Sequence, residues 1–297
     1  MNELEVDTLH LKTLAAIVDG GSLERAASAL GITPSAVSQR LRTMEQRLGR
    51  VLVQRSRPAQ ATEAGQALLR LARQVRHLEH EAATALGVGA TGPVEVPLVV
   101  NADSLATWAL PALAPLAASG CIVLDIRRED EAHSTDLLRA GAVMAAVTST
   151  PEPVQGCTVD RLGAMRYRAL ATPEFAARWF PGGATAATIA IAPTMDFDRL
   201  DDLQDRFIRR ITRRTVAPPR HHVPGSDQFA DAVRRGMGWA MLPDLQTEAD
   251  RAAGNLVEIG TRPVIDVPLF WQRWRLDSPA LAEVTAALRA GAATALR

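Results

Sequence analysis

Residues 21–60 carry seven arginines, Arg25, Arg40, Arg42, Arg47, Arg50, Arg55 and Arg57, against two acids, Glu24 and Glu45, a local charge of +5. The whole chain has 33 Lys+Arg and 33 Asp+Glu, so the remainder sums to −5 and only the distribution points to an anionic partner. Within the basic stretch, Ser22, Thr33, Pro34, Ser35, Ser38, Gln39 and Arg42 fall on what would be the outer side of a helix pair. Hydroxyls, an amide and a guanidinium in that position hydrogen-bond phosphates and base edges. Arg55 and Arg57, further on, suit phosphate or the minor groove.

A second set of polar groups follows apolar runs. Asn101, Asp103 and Ser104 stand where a strand gives way to a helix. Free amides and the Ser104 hydroxyl there could hold an α-carboxylate and Asp103 an α-ammonium; the other reading is a helix cap. Thr148 and Ser149 end a further apolar run, as ligand hydroxyls or as a cap. Thr194, Asp196 and Asp198 end another, where a carboxylate could take the cation of a lysine or arginine side chain or simply line a solvated loop. His222, beside His221, precedes a helix start and could line a pocket.

Other chemistries lack their residues. The glycines of "GVGATG" at 87–92 match a dinucleotide fingerprint in spelling, but they follow a helix and precede a strand, the reverse of the required order. There is no Gly-x-Ser-x-Gly elbow and no phosphate loop, and Lys12 is the only lysine, so Schiff-base chemistry has no candidate in the second half. Cys121 and Cys157 are too few for a disulfide framework or a cysteine metal site and read as small core residues. His77 and His80 share a helix face and read as solvated surface. No metal, no cofactor and no enzyme activity are expected.

The elements that would position these groups follow from punctuation. Asp7, Ser22 and Thr33 are placed to cap three helices, with Gly20-Gly21 and Gly31 ending the first two and Pro34 opening the third. Residues 51–55 and a loop at Pro58 suit a small wing. From Thr62 to about 86 Leu68, Leu71, Val75, Leu78, Ala82 and Ala85 recur at spacings of three and four, a heptad-like stripe on a helix of roughly 37 Å. Such a helix is expected to pair with its copy. Beyond a joint at 87–93, strands at 94–100, 122–127, 142–147, 168–171, 189–192, 239–242, 256–259 and 267–274 alternate with helices at 105–118, 134–140, 200–212, 227–235 and 280–290, an α/β pattern. Residues 104–124 are uncharged and long enough for a bilayer, but Pro111, Pro115 and Ser119-Gly120 make them a helix, turn and strand. Acids at Glu3 and Glu5 do not suit a signal peptide, so a reducing cytoplasm is expected.

The run "SLERAASALGITPSAVSQRLRTMEQRLG", followed by a wing that ends in "ATEAGQALL" and by a long helix, resembles the N-terminal half of LysR-type transcriptional regulators. The stretches "NADSLATWALPAL", "ATPEFAARWFPGG", "DFDRLDDLQDRFIRR" and "GMGWAMLP" resemble, more narrowly, the LysG/ArgP branch. The resemblance implies an α+β winged helix-turn-helix domain (1–61), a linker and dimerisation helix with hinge (62–92), and an α/β effector domain like a periplasmic binding protein (93–297). The effector domain would have one subdomain at about 93–165 plus 267–297 and another at about 166–266. It further implies binding to a double-stranded DNA operator, a basic amino acid such as lysine or arginine as effector, and control of amino-acid export. A dimer through the linker helix, a tetramer, and RNA polymerase as a further partner belong to the same expectation. Two rivals stand beside it: a regulator of this type with a different effector, and an α/β enzyme or solute-binding protein with an N-terminal interaction module. The latter needs a catalytic constellation or an export signal, and the sequence has neither.

Overall fold

The computed structural model describes residues 7–54, 56–88, 92–128 and 131–297. Side-chain caps start the N-terminal helices where the sequence placed them. α1 (Thr8–Gly20) begins with the Asp7 carboxylate accepting from the Leu9 amide at 2.9 Å. Ser22 caps α2 (Leu23–Leu30), and Thr33 caps α3 (Pro34–Leu48), with Pro34 in its first turn. Each cap satisfies an amide that has no partner inside its helix.

The wing is β1 (Val53–Gln54) paired antiparallel with β2 (Gln60–Ala61). Its loop rests on the end of α1, where the Ala59 amide donates to the Gly21 carbonyl at 2.8 Å. Gly21 has φ 69°, and a Cβ there would lie 2.9 Å from Cβ of Pro58, so both backbone and space require glycine. Thr62 then caps α4 (Glu63–Leu86). Leu14, Ile17, Ala26, Val37, Leu52 and Leu69 form one apolar core from α1–α4 and the wing.

The second half comprises β3 (Val94–Val100), α5 (Ala102–Ser104), a π-helical turn (Leu105–Ala109), α6 (Leu110–Ala118), β4 (Ile122–Arg127), α7 (Glu131–Arg139), β5 (Ala145–Thr148) and β6 (Cys157–Ala171). It continues through α8 (Pro173–Trp179), α9 (Ala186–Ile191), β7 (Thr194–Asp196), α10 (Leu203–Ile211), β8 (Arg220–His222) and α11 (Ser226–Arg234). Last come β9 (Ala240–Pro243), α12 (Asp244–Ala252), β10 (Val257–Glu258), β11 (Val264–Trp274) and α13 (Pro279–Ala295).

The main sheet runs β10-β6-β11-β5-β3-β4, with β9 also on β6. β3 pairs parallel with β4 and β5, while β11 pairs antiparallel with β5 and β6. β6 and β11 are 15 and 11 residues long, and their register shifts between Leu269 and Phe270. On one side of that irregularity lie β3, β4, β5, α5–α7 and α13, which we term lobe one. On the other, β9 and β10 flank the end of β6, and β7 pairs parallel with β8 in a separate sheet; these form lobe two. Both lobes share the two crossing strands, so a small change at the register shift can alter their relative setting.

Several local expectations differ from the fold. Residues 189–192 were expected as a strand, but Thr185 and Thr188 form a reciprocal capping box that starts α9, and the strand follows at 194–196. β6 begins at 157 rather than 168, and α8 and α12 are additional helices. Cys157 is buried, but Cys121 is exposed and is not a core residue. His77 is not solvated surface: it is 9% exposed, against the second half. Residues 104–124 fold into helix and strand, and among the described residues no helix is long and apolar enough to cross a membrane.

Candidate functional site

α3 sends Val37, Leu41 and Met44 into the core, which leaves Thr33, Pro34, Ser35, Gln39 and Arg42 exposed and Ser38 half-buried on the opposite side. Thr33 combines two tasks: its hydroxyl caps α3 at the Ala36 amide, 3.2 Å away, and lies 2.9 Å from the Ser35 hydroxyl. The Ser22 hydroxyl likewise accepts from the Arg25 amide at 3.2 Å, and it donates its own hydrogen to the Glu24 carboxylate. Glu45, the one acid on α3, is committed to the Leu52 amide at 2.8 Å. Arg40, Arg42, Arg47 and Arg50 form no ion pair among the described residues, so their charges face solvent. Arg57 is exposed on the wing, and an acid does lie near it in space. The backbone and the Ser22 hydroxyl hold Glu24 below its ordinary pKa, and the Arg57 charge adds to them. Arg55 lies outside the described residues.

The second set of candidates converges in part. Val100 pairs with Val147, so the residues that follow them, Asn101–Ser104 and Thr148–Thr150, lie side by side at the ends of β3 and β5. Asn101 is a cap, its side-chain oxygen accepting from the Ser104 amide at 2.9 Å. The Thr148 hydroxyl accepts from the Thr150 amide at 3.1 Å, and Ser149 beside it is half-buried. Asp103 reaches furthest: one carboxylate oxygen accepts from the Tyr167 hydroxyl at 2.8 Å, the other from the Ser226 hydroxyl at 2.7 Å. Tyr167 is on crossing strand β6 and Ser226 opens α11 in lobe two, so this carboxylate ties the lobes together. Burial raises the Asp103 pKa, and the two hydroxyl donors oppose that rise. Ser104 and Thr194 are fully buried with hydroxyls that have no hydrogen-bond partner among the described residues.

Asp196 corrects the expectation of an open carboxylate for a ligand cation. Arg220 already occupies it at 2.7 Å and bonds Asp205 as well, and Gln204 donates to it at 3.3 Å. Burial disfavours the Arg220 cation, yet these carboxylates hold its pKa above the ordinary value. The β7–β8 register sets Asp196 opposite His222, whose Nε2 is 4.0 Å away and whose ring is exposed. Tyr167 and Ser226 were not among the candidates. The only signals for them were a single tyrosine in the chain and a serine at the helix start already noted beside His222.

A winged helix-turn-helix face of unpaired arginines, joined by a long helix to two lobes bridged by polar groups, defines an effector-responsive DNA-binding protein. Residues 9–66 match the model of the bacterial regulatory helix-turn-helix protein, lysR family, and residues 96–293 that of the LysR substrate binding domain. The chain is similar to the lysine export transcriptional regulatory protein LysG of Corynebacterium efficiens, at 45% identity over 295 residues, 98% of this chain and 100% of the relative. Its fold is similar to that of ArgP from Mycobacterium tuberculosis, with TM-score 0.92 and 43% identity over 99% of each chain. Full-length LysG from Corynebacterium glutamicum with bound effector Arg matches with TM-score 0.86 and 40% identity, over 98% of this chain and 100% of that one. The chain belongs to the LysR family of transcriptional regulators and is a DNA-binding regulator, not an enzyme.

Proposed function

We propose that this regulator senses a basic amino acid, arginine or lysine, and controls genes for amino-acid export. The observation that carries this reading is Asp103, a lobe-one carboxylate at the junction of the lobes held by the hydroxyls of Tyr167 on crossing strand β6 and of Ser226 in lobe two. A ligand α-ammonium would exchange a neutral hydroxyl donor for a charged one, and the lobe arrangement would then depend on the ligand. Asn101, Ser104, Thr148 and Ser149 line the ligand from lobe one, and Thr194 and His222 from lobe two; Asp196 stays with Arg220. The arginine bound by C. glutamicum LysG, whose fold matches this chain end to end, supports the choice of ligand.

In this reading 1–61 bind DNA through Ser22, Thr33, Pro34, Ser35, Ser38, Gln39, Arg42, Arg55 and Arg57, 62–92 link and dimerise, and 93–297 bind effector. Dimers assemble into tetramers in the cytoplasm and act on RNA polymerase at the promoter. Thermal unfolding against arginine, lysine and uncharged amino acids tests the ligand. A concentration about 100-fold above the dissociation constant adds roughly 2.7 kcal/mol of stability. Stabilisation by the basic amino acids alone is the expected result; equal stabilisation by uncharged ones, or none by any, overturns it.

A further inference from the structure

α4 does more than space the two halves. Its residues Arg70, Arg73, His77 and Glu81 recur at spacings of three and four and so share one face, and that face is bonded to the second half. Arg70 donates to the Gln155 carbonyl at 2.7 Å, and Arg73 to the Ala140 carbonyl at 3.0 Å while pairing with Asp19 of α1 at 2.5 Å. Nearer the end of α4, His77 Nε2 is 2.9 Å from the Ser278 hydroxyl oxygen, which donates its hydrogen to Glu81 Oε1 at 2.7 Å. Because that hydrogen goes to Glu81, Nε2 carries a hydrogen of its own, which it shares between the Ser278 oxygen and Glu81 Oε1, 3.3 Å away on the same helix. His77 and Ser278 are 9% and 3% exposed and Glu81 is half-buried, with His77 also on the wall of an open cavity that it shares with Arg73, Arg76 and His80.

Ser278 is also the N-cap of α13, accepting from the Leu281 amide at 3.2 Å. α13 touches a strand that joins the lobes and the helix that follows the Asp103 turn. Its Thr285 hydroxyl accepts from Trp271 Nε1 of crossing strand β11 at 3.1 Å. Its Gly291 lies so close to α6 that a Cβ there would be 2.5 Å from Cβ of Ala112 and 3.6 Å from the Trp108 ring. Trp108 belongs to the π-helical turn directly after Asp103 and Ser104, and such turns occur mostly at functional sites. A run of adjacent elements, α5, the π-helical turn, α6 and α13, therefore connects Asp103 to Ser278 and α4.

We propose that His77, Ser278 and Glu81 form a latch through which α13 reports the arrangement of the lobes to the linker helix and so to the DNA-binding half. This rests on the reading that the two lobes change their setting, and it does not depend on which ligand moves them. Losing the latch frees the end of α4, which changes the angle and spacing at which two DNA-binding halves are presented.

Hydrogen exchange on the full-length protein tests it. His77→Ala should speed exchange in both 74–86 and 279–285 by about tenfold, the counterpart of one lost buried hydrogen bond, with 94–100 unmoved. His77→Gln, which retains an N–H donor, should restore most of the protection. Asp103→Ala cuts the bond between the lobes without any ligand and should alter exchange across 74–86 in an otherwise natural chain but not when combined with His77→Ala. Unchanged exchange at 279–285 in His77→Ala overturns the latch as a contact. An Asp103→Ala effect on α4 that persists without His77 overturns it as the route. Neither result touches the choice of arginine or lysine, which thermal unfolding decides separately.

Discussion

The Ser226 hydroxyl donates to the Asp103 carboxylate at 2.7 Å, across the boundary between the two lobes. Asp103 follows β3 and Ser226 opens α11, and these elements share no sheet, so the bond depends on the setting of β6 and β11 between them. Tyr167, on β6, donates to the other oxygen, which places the crossing strand itself in the bridge. Desolvation works against the charge on Asp103, and a cationic ligand group beside it would reverse that balance.

Asp103→Asn and Asp103→Ala should therefore separate structure from recognition. Asparagine keeps an acceptor for one hydroxyl and should unfold near the wild-type temperature, whereas alanine leaves Ser226 without its acceptor and should cost about 1–3 kcal/mol. Both should lose stabilisation by arginine, because neither offers a negative charge. Thermal unfolding with and without arginine reads both effects, and a wild-type arginine response in Asp103→Ala would remove this carboxylate from the ligand site.

Arg42 is exposed on α3 and Arg57 on the wing, with the α3 acid Glu45 occupied elsewhere. If each arginine neutralises one phosphate, Arg42→Ala plus Arg57→Ala should flatten the plot of log affinity against log salt by about 2. The fold should hold, since both side chains leave the core. A salt titration of binding to duplex DNA measures the slope; an unchanged slope would show that neither arginine meets the backbone.

What the sequence disclosed depended on how local the cause was. Caps at Asp7, Ser22, Thr33 and Thr62 act on amides two or three residues away, and each helix starts where its cap stands. The first part of β6 was not legible because Thr158, Asp160, Arg161 and Gly163 do not form an apolar run; that segment is a strand through its pairing with residues 269–274 of β11. Asp196 looked available because Arg220, which occupies it, lies 24 positions away. His77 looked like surface for the same reason: Ser278, 201 positions on, is what buries and bonds it. At the candidate site, Asp103 could be picked from its place after a strand, but its two donors come from other strands and lobes.

The latch should also depend on pH. Burial lowers the His77 pKa, against the opposing pull of Glu81 and with help from His80 and Arg76. The docked form thus holds neutral histidine, while the released form takes up a proton at the ordinary value near 6.5. Docking is fully favoured above that value and weakens as pH falls below it toward the lowered pKa. Exchange at 279–285 should rise between about pH 7 and pH 5.5, after correction for intrinsic exchange, and His77→Gln should abolish that rise. An identical pH response in His77→Gln would assign it to another group.

The apolar stripe of α4 occupies a different side of the same helix. Leu68 is buried in the N-terminal core and Leu71 and Val75 are half-buried, but Leu78 is 40% exposed, and Ala82 and Ala85 are exposed with it. The heptad spacing is kept throughout, so the stripe begins as an intrachain contact and continues as a seam that the described residues of its own chain leave uncovered. A second copy pairing there buries Leu78 from both chains. Replacing it with lysine removes roughly 1.5–3 kcal/mol of burial per chain, which weakens the dimer by about 10²–10⁴-fold. Sedimentation equilibrium of Leu78→Lys should therefore find monomer at concentrations where the natural chain is dimeric. Because Arg70, Arg73, His77 and Glu81 face elsewhere, exchange at 279–285 should stay protected in that monomer. A Leu78→Lys protein that remains fully dimeric would assign the dimer contact to another surface.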